Sequence, residues 1–226
     1  GSLEFSENLS SVGTQPIIGT QILFKYKDFT GFIPLIAKNI DGYKNIIELS
    51  SKSYLENSDT TEPHCKFEDL LNNSSGIIVL SGSIRCLLGN LFNKDLINEM
   101  EDIISKLSKS FPEDFYIEIQ RHDDLNEKEF ENFNLNISKK FSLPIVATNE
   151  VYYLEQNMYE AHDALICIGE KTYVNDPNRI KLSNQHYFKS SDEMVELFKD
   201  LPEALENNFA LPYRCSFKPS QSKPIL

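Results

Sequence analysis

Short apolar runs of strand length alternate along this chain with segments of helical periodicity. Residues 76–81 contain a continuous apolar run, which is typical of a strand buried on both faces. Residues 96–107 carry apolar side chains at i, i+3 and i+4, which predicts an amphipathic helix. The same alternation recurs at residues 114–120, 126–140 and 143–148. We therefore predict an α/β fold in which helices cover a parallel sheet.

Capping residues mark the beginnings of three predicted helices. Asn126, followed by Glu129, is expected to cap the helix over residues 126–140. Ser190 and Glu193 have the spacing of a capping box. Pro202 suits the first turn of a short final helix, because that turn needs no backbone N–H from it.

The balance of charge limits the partners of the chain. It has 22 Lys+Arg against 34 Asp+Glu, a formal net charge of −12 and a pI near 4.8. Nucleic-acid binding needs basic side chains to neutralise phosphates, so we expect no direct DNA binding. No apolar run reaches the ~18 residues of a membrane span, and no signal peptide is visible. We expect no membrane contact, a cytoplasmic location and reduced cysteines.

The ends of the apparent strands are the places to look for chemistry, because reactive groups in such folds follow the carboxyl ends of strands. Gln21, Phe32, Ser83, Glu150 and Tyr152 lie at or near those places. A divalent ion needs about four ligands with lone pairs, and Glu150 alone among these five is a carboxylate. A lone carboxylate is more often a cap or a surface residue than a ligand. The residues alone predict neither a metal site nor a catalytic set.

The histidines add no clear ligand pattern. His64 lies beside Cys65 in a loop, and an adjacent pair is a weak metal signal. His122 is predicted in an exposed turn, His162 in the packing of a helix, and His186 in a strand-like run. None has the spacing of an HxH or HExxH motif.

Several short segments of the sequence occur in one known family in the same order. Examples are QPIIG at 15–19, YIEIQRH at 116–122 and PIVATNEVYY at 144–153. In these segments the chain resembles the polymerase-and-histidinol-phosphatase (PHP) domain of the bacterial DNA polymerase III alpha subunit. The resemblance covers nearly the whole chain. Further matching segments are 35–39, 42–45, 161–163, 176–179 and 187–204.

The resemblance implies a (β/α)7-type PHP barrel that lacks its first strands here, at the N-terminus of a replicative polymerase. Residues 1–215 would be the PHP domain, and residues 216–226 a linker toward the polymerase palm. The parent protein would be a DNA-directed DNA polymerase, a nucleotidyltransferase of DNA replication. Its polymerase centre would use Mg²⁺, whereas this fragment would hold no cofactor.

The resemblance also identifies five former metal-site positions. Gln21 stands where metal-binding members have Glu, Phe32 where they have His, and Ser83 where they have Cys. Glu150 and Tyr152 stand where those members have an Asp-x-His pair. Each change removes or weakens a ligand, which implies a degenerate site with no metal and no catalytic residue. The rings of Phe32 and Tyr152 are expected to fill the vacated pocket.

Three functional hypotheses follow. The first is a structural domain whose partners are the rest of the alpha subunit and a proofreading exonuclease subunit. The second is an active metal-dependent PHP phosphoesterase or 3′–5′ exonuclease that uses Glu150, His64 and groups outside this sequence. The third is a free-standing small-molecule-binding barrel.

Overall fold

The computed structural model describes residues 1–57 and 62–220. This part of the chain contains six strands in one sheet, of order β3-β1-β2-β4-β5-β6. The strands are β1 (Gly19–Tyr26), β2 (Phe29–Ala37), β3 (Cys65–Lys66), β4 (Ile77–Leu80), β5 (Phe115–Ile119) and β6 (Ile145–Ala147). The α-helices are α1 (Ser2–Ser11), α2 (Ile40–Leu55), α3 (Phe67–Asn72), α4 (Leu87–Phe92), α5 (Ile97–Ser110), α6 (Glu127–Phe141), α7 (Tyr159–Gly169), α8 (Ser191–Leu197) and α9 (Pro202–Ala210). Two 3₁₀ helices span Gln156–Met158 and Leu211–Arg214.

Strands β4, β5 and β6 pair in parallel, as do β1 and β3 at the other end of the sheet. Helices α4 and α5 connect β4 to β5, and α6 connects β5 to β6. These are the crossover units that the alternating apolar pattern predicts, and the α/β fold is therefore confirmed. Within the described residues β3 and β6 are the two ends of the sheet, and closure into a barrel stays a prediction.

The N-terminal part of the sheet differs from the expected parallel arrangement. β1 and β2 pair antiparallel, with Tyr26 opposite Phe29, and β2 also runs antiparallel to β4. A parallel connection needs a crossover of about a dozen or more residues, whereas Lys27 and Asp28 alone separate β1 from β2. Lys27 adopts a φ of 53°, which allows the chain to reverse in this short turn.

The parallel strands are buried on both faces. Phe115, Ile117 and Ile119 of β5 join the larger core, together with side chains of α3 to α6. Tyr116 points to the opposite face, where it belongs to a smaller cluster that includes Cys215. This alternation explains why β4, β5 and β6 are apolar at nearly every position.

The outer edge of β6 is covered by side chains of α9. Asn208 pairs with both the backbone N–H and the carbonyl of Ala147, and Asn207 donates to the carbonyl of Ile145 at 2.8 Å. These amides replace a further strand, so the edge does not offer free backbone groups there.

Two of the three predicted helix beginnings are confirmed. Ser190 and Glu193 form a reciprocal capping box, and Pro202 occupies the first turn of α9. Asn126 does precede the first residue of α6, but the predicted side-chain cap is wrong. Asn126 has a left-handed backbone, and its side chain makes no capping hydrogen bond. Glu127 accepts instead from the backbone N–H groups of His122 and Asp124.

All four cysteines are free and buried. No helix within residues 1–57 and 62–220 is both long enough and apolar enough to cross a bilayer.

Gly42 is a point of close packing between α2 and the turn before β4. A Cβ atom on Gly42 would lie 1.8 Å from the carbonyl oxygen of Gly76. We expect Gly42→Ala to lower the free energy of unfolding by about 1–3 kcal/mol, because the backbone must move to accept the methyl group. Urea denaturation of the purified variant measures this loss.

Gly169→Ala is the matched control, because a Cβ atom at Gly169 meets no atom within 4 Å. Its stability should change by less than about 1 kcal/mol. Equal stabilities for the two variants would contradict the close contact at Gly42.

Candidate functional site: a histidine cluster at the strand ends

The carboxyl ends of β4, β5 and β6 meet at one edge of the sheet because these strands are parallel. The loops that follow them carry Arg85, His122, Asp124 and Glu150. A fourth segment crosses this edge, since the Tyr152 N–H donates to the carbonyl of His186 at 2.9 Å. We call His122, Asp124 and His186 the histidine cluster.

Two buried imidazoles stack at the centre of this cluster. The rings of His122 and His186 have centroids 4.1 Å apart and an interplanar angle of 2°. The Glu150 N–H donates to Nε2 of His122 at 3.1 Å, and Nδ1 of this ring faces Glu127 Oε1 at 3.3 Å. Nδ1 of His186 lies 3.0 Å from the carbonyl of Glu150, to which it donates. The geometry thus makes Nδ1 of His186 a hydrogen-bond donor and Nε2 of His122 an acceptor.

Asp124 and Arg85 complete the arrangement on the side of His186. Arg85 Nη2 donates to Asp124 Oδ2 and lies 3.2 Å from Nε2 of His186. Burial alone would raise the pKa of Asp124, but its contacts with His186 and Arg85 lower it overall. Asp124 is therefore held as a carboxylate at neutral pH.

The histidine cluster has the ligand types of a metal site but not the geometry. Among the described residues, this group has ligand atoms that all lie within 4.8 Å of one another. A metal ion must lie near the plane of each imidazole, about 2.0–2.1 Å from its lone pair, and no point lies in two stacked parallel planes. The lone pairs of His122 and His186 also accept hydrogen bonds from the Glu150 N–H and from Arg85. The residues present do not fit a metal ion in this arrangement.

Gln21 lies inside β1, not after a strand end as predicted, and Phe32 lies inside β2, not at the entry of a strand. Gln21 is opposite Pro34, and Phe32 is opposite Leu23. Phe32 is 39% exposed and Tyr152 is 45% exposed. The expectation that these two rings fill a vacated pocket is therefore wrong for the part of the chain that the structure describes.

Ser83, Glu150 and Tyr152 do follow strand ends. Ser83 is buried, and its Oγ lies 3.6 Å from Cys86 Sγ. The Tyr152 hydroxyl donates to Glu150 Oε1 at 2.9 Å. Burial, followed by the charge of Glu150, raises the pKa of Tyr152 to about 12, so the hydroxyl stays protonated at neutral pH. With a single carboxylate and a protonated phenol, the predicted positions do not fit a polynuclear metal centre.

Glu118 is a buried carboxyl at the same edge that the sequence analysis did not select. Its Oε1 accepts from Thr148 Oγ1 and from Gln120 Nε2, while Oε2 has no hydrogen-bond partner within the described residues. Burial raises the pKa of Glu118, although the bonds from Thr148 and Gln120 act in the opposite direction. A carboxyl placed in this way costs stability once it ionises.

The sequence analysis also missed the histidine cluster. His122 was expected in an exposed turn, yet 1% of its surface is exposed, and His186 is fully buried. His122 and Asp124 directly follow β5, so the strand-end rule that selected Ser83 and Glu150 would have found them. No local pattern indicates that His186 joins them.

Glu118→Gln should become more stabilising, relative to the unchanged chain, as the pH rises. A carboxyl whose pKa is raised by folding contributes stability below its unfolded pKa of about 4.3, and this contribution is lost as the pH rises through the folded pKa. The amide has no such loss. Unfolding free energies of both proteins at pH 5 and at pH 8 measure the difference.

Glu129→Gln, in the first turn of α6, is the control. A Glu118→Gln effect that is the same at both pH values would exclude ionisation of Glu118 as a cost.

Comparison with known proteins agrees with the fold and the order of the motifs. The PHP domain family model matches residues 1–122. DNA polymerase III subunit alpha of Rickettsia bellii is 38% identical over 229 residues, an alignment that covers 100% of this chain and 19% of that protein. The corresponding subunits of Caulobacter vibrioides and Borreliella burgdorferi are 34% and 35% identical and also align along 100% of the chain. The chain spans about a fifth of the length of these relatives. By these matches, the chain belongs to the PHP domain family.

Proposed function

We propose that this chain is the PHP domain of a DNA polymerase III alpha subunit and that it acts as a structural and partner-binding domain without a catalytic metal centre. The observation that carries the metal-free role is the donor set at the strand ends. Glu150 is the single carboxylate among Gln21, Phe32, Ser83, Glu150 and Tyr152, and it already accepts from the Tyr152 hydroxyl. We assign no catalytic residue and no metal ligand to these positions.

The proposed parent protein is a DNA-directed DNA polymerase, and its nucleotidyl transfer belongs to regions outside this chain. Mg²⁺ would be the cofactor of that distant centre, where two ions stabilise the attacking and the leaving oxygens. The net charge of −12 supports a domain that leaves DNA contact to other parts of the polymerase. Free, buried cysteines are in keeping with a cytoplasmic location.

An apolar stripe on α7 supports a role in holding a larger protein together. Ala161, Leu165 and Ile168 of α7 continue the helical spacing of Met158, which precedes the helix, and all four are exposed. The opposite face of α7 contains the buried Asp163, which pairs with Arg179. Exposed apolar side chains that follow one face of a helix are typical of a surface that another domain covers. We propose that other domains of the alpha subunit pack on this stripe.

The proofreading exonuclease subunit is a second proposed partner. The family resemblance suggests it, and it would bind the assembled alpha subunit.

An active phosphoesterase or 3′–5′ exonuclease is the competing function. It was expected to combine Glu150 with His64, but His64 precedes β3 and Glu150 follows β6, at opposite ends of the sheet. His64 Nδ1 instead lies 2.8 Å from the carbonyl of Glu62. This separation favours the structural role.

Metal analysis of the proposed parent polymerase distinguishes the two functions. We expect no metal to remain with the PHP domain after dialysis, and Tyr152→His alone should release no phosphate from a phosphomonoester, because one added ligand does not assemble a polynuclear site. DNA synthesis by the same preparation is the control for folding. Two or more tightly held ions in the PHP domain, or chelator-sensitive phosphate release, would reject the structural role.

The double substitution Leu165→Glu with Ile168→Glu tests the α7 stripe. In the isolated chain we expect a stability change of within about 0.5 kcal/mol, since both side chains are exposed. In the proposed parent polymerase the same change should lower the melting temperature and increase proteolysis between domains, because a partner surface would meet two buried charges. Differential scanning calorimetry and limited trypsin digestion provide the two readouts.

Leu55→Glu is the matched control, because Leu55 is an exposed residue at the end of α2. If the double variant and the control behave alike in the parent polymerase, the α7 stripe is not an interdomain surface.

A further inference from the structure

The negative charge of Asp124 is largely buried. Its side chain is 12% exposed, and it lies against His186, which is fully buried. A carboxylate in such surroundings must be compensated by a cation or by several hydrogen bonds, since an uncompensated buried charge destabilises the fold. The question is which cation compensates Asp124.

Arg85 is the cation that pairs with Asp124. Its Nη2 contacts both Asp124 Oδ2 and the lone pair of His186 Nε2. The three residues come from the loop after β4, the loop after β5 and the segment that precedes α8. They lie far apart in sequence, because 39 residues separate Arg85 from Asp124 and 101 separate it from His186.

The neighbouring cation does not have this role. Lys189 Nζ donates to the carbonyl of Gln185 and lies 3.3 Å from Asn149 Oδ1. Within the described residues, Lys189 forms no ion pair with Asp124 at salt-bridge distance, whereas Arg85 does.

We propose that the guanidinium of Arg85 is the built-in cation of the histidine cluster, and that it joins three loops at the strand ends in the place of a metal ion. The planar guanidinium can donate to a carboxylate and to an imidazole nitrogen at the same time, which an ammonium does with less defined geometry. The cluster thus accepts a guanidinium and excludes a divalent cation, because the histidine lone pairs are occupied and the rings are stacked. This inference rests on the geometry of the cluster and does not need the polymerase assignment.

Removal of Arg85 should leave a gap that a small guanidinium compound fills. We expect Arg85→Ala to lower the melting temperature of the chain by about 4–8 °C, because Asp124 loses its ion pair. Millimolar methylguanidinium should restore at least half of this loss, whereas methylammonium at the same concentration should not. Zinc ions should restore none of it.

Arg214→Ala is the matched control, because Arg214 pairs with Asp114 and has no histidine partner. Its side chain is 28% exposed, compared with 35% for Arg85. This variant should also lose stability, and methylguanidinium should restore part of it, because Asp114 loses a guanidinium as well. Recovery in Arg214→Ala but not in Arg85→Ala, or a melting temperature of Arg85→Ala equal to that of the unchanged chain, would overturn the proposal.

Arg85→Lys keeps the test decisive if Arg85→Ala gives no folded protein. The ammonium retains a charge near Asp124 but loses the bridge to His186, so the melting temperature of this variant should be lower than that of the unchanged chain. An unchanged melting temperature would refute the bridging role.

The cobalt spectrum of the unchanged chain tests the exclusion of a metal ion. No bands from a histidine-bound ion are expected. Bands that His186→Ala removes would establish a metal site instead.

Discussion

The parallel pairing of β4, β5 and β6 determines where Arg85, His122, Asp124 and Glu150 lie, and His186 reaches them from a separate segment. These strands are buried on both faces, so their side chains are apolar apart from Glu118, and most polar residues begin where the strands end. Because the strands run in the same direction, the three following loops meet at one edge. Arg85, His122 and Glu150 come together there although none is near another in sequence.

At this edge the polar groups bind one another. Asp124 pairs with Arg85, Glu150 accepts from Tyr152, and the lone pair of His122 accepts from a backbone N–H. A metal centre needs the reverse condition, in which several lone pairs remain free and point toward one position. The internal hydrogen bonds therefore argue against a metal ion in this arrangement, and they do so without reference to any relative.

The sequence predicts the parallel half of the fold well, because the apolar runs of β4 to β6 and the periodicity of α5 are local patterns. The β1–β2 hairpin does not follow from the general βαβ pattern, because the two residues Lys27 and Asp28 are too few for a parallel crossover. In the site, the places of Ser83 and Glu150 follow from the strand-end rule. The burial of His122 does not, since it depends on stacking with His186, a long-range contact that no local spacing reveals.

The strand-end edge is polar and the α7 stripe is apolar, and this contrast supports a structural role. At the strand ends, charges are matched inside the chain, so a phosphate or a metal would have to displace existing bonds. On α7, Leu165 and Ile168 leave apolar area that nothing within the described residues covers. Burying such area on association is favourable by roughly 25 cal/mol per Å² before the costs of ordering. The free energy that this region can still offer a partner is therefore mainly that of apolar packing, which suits a domain that holds a larger protein together.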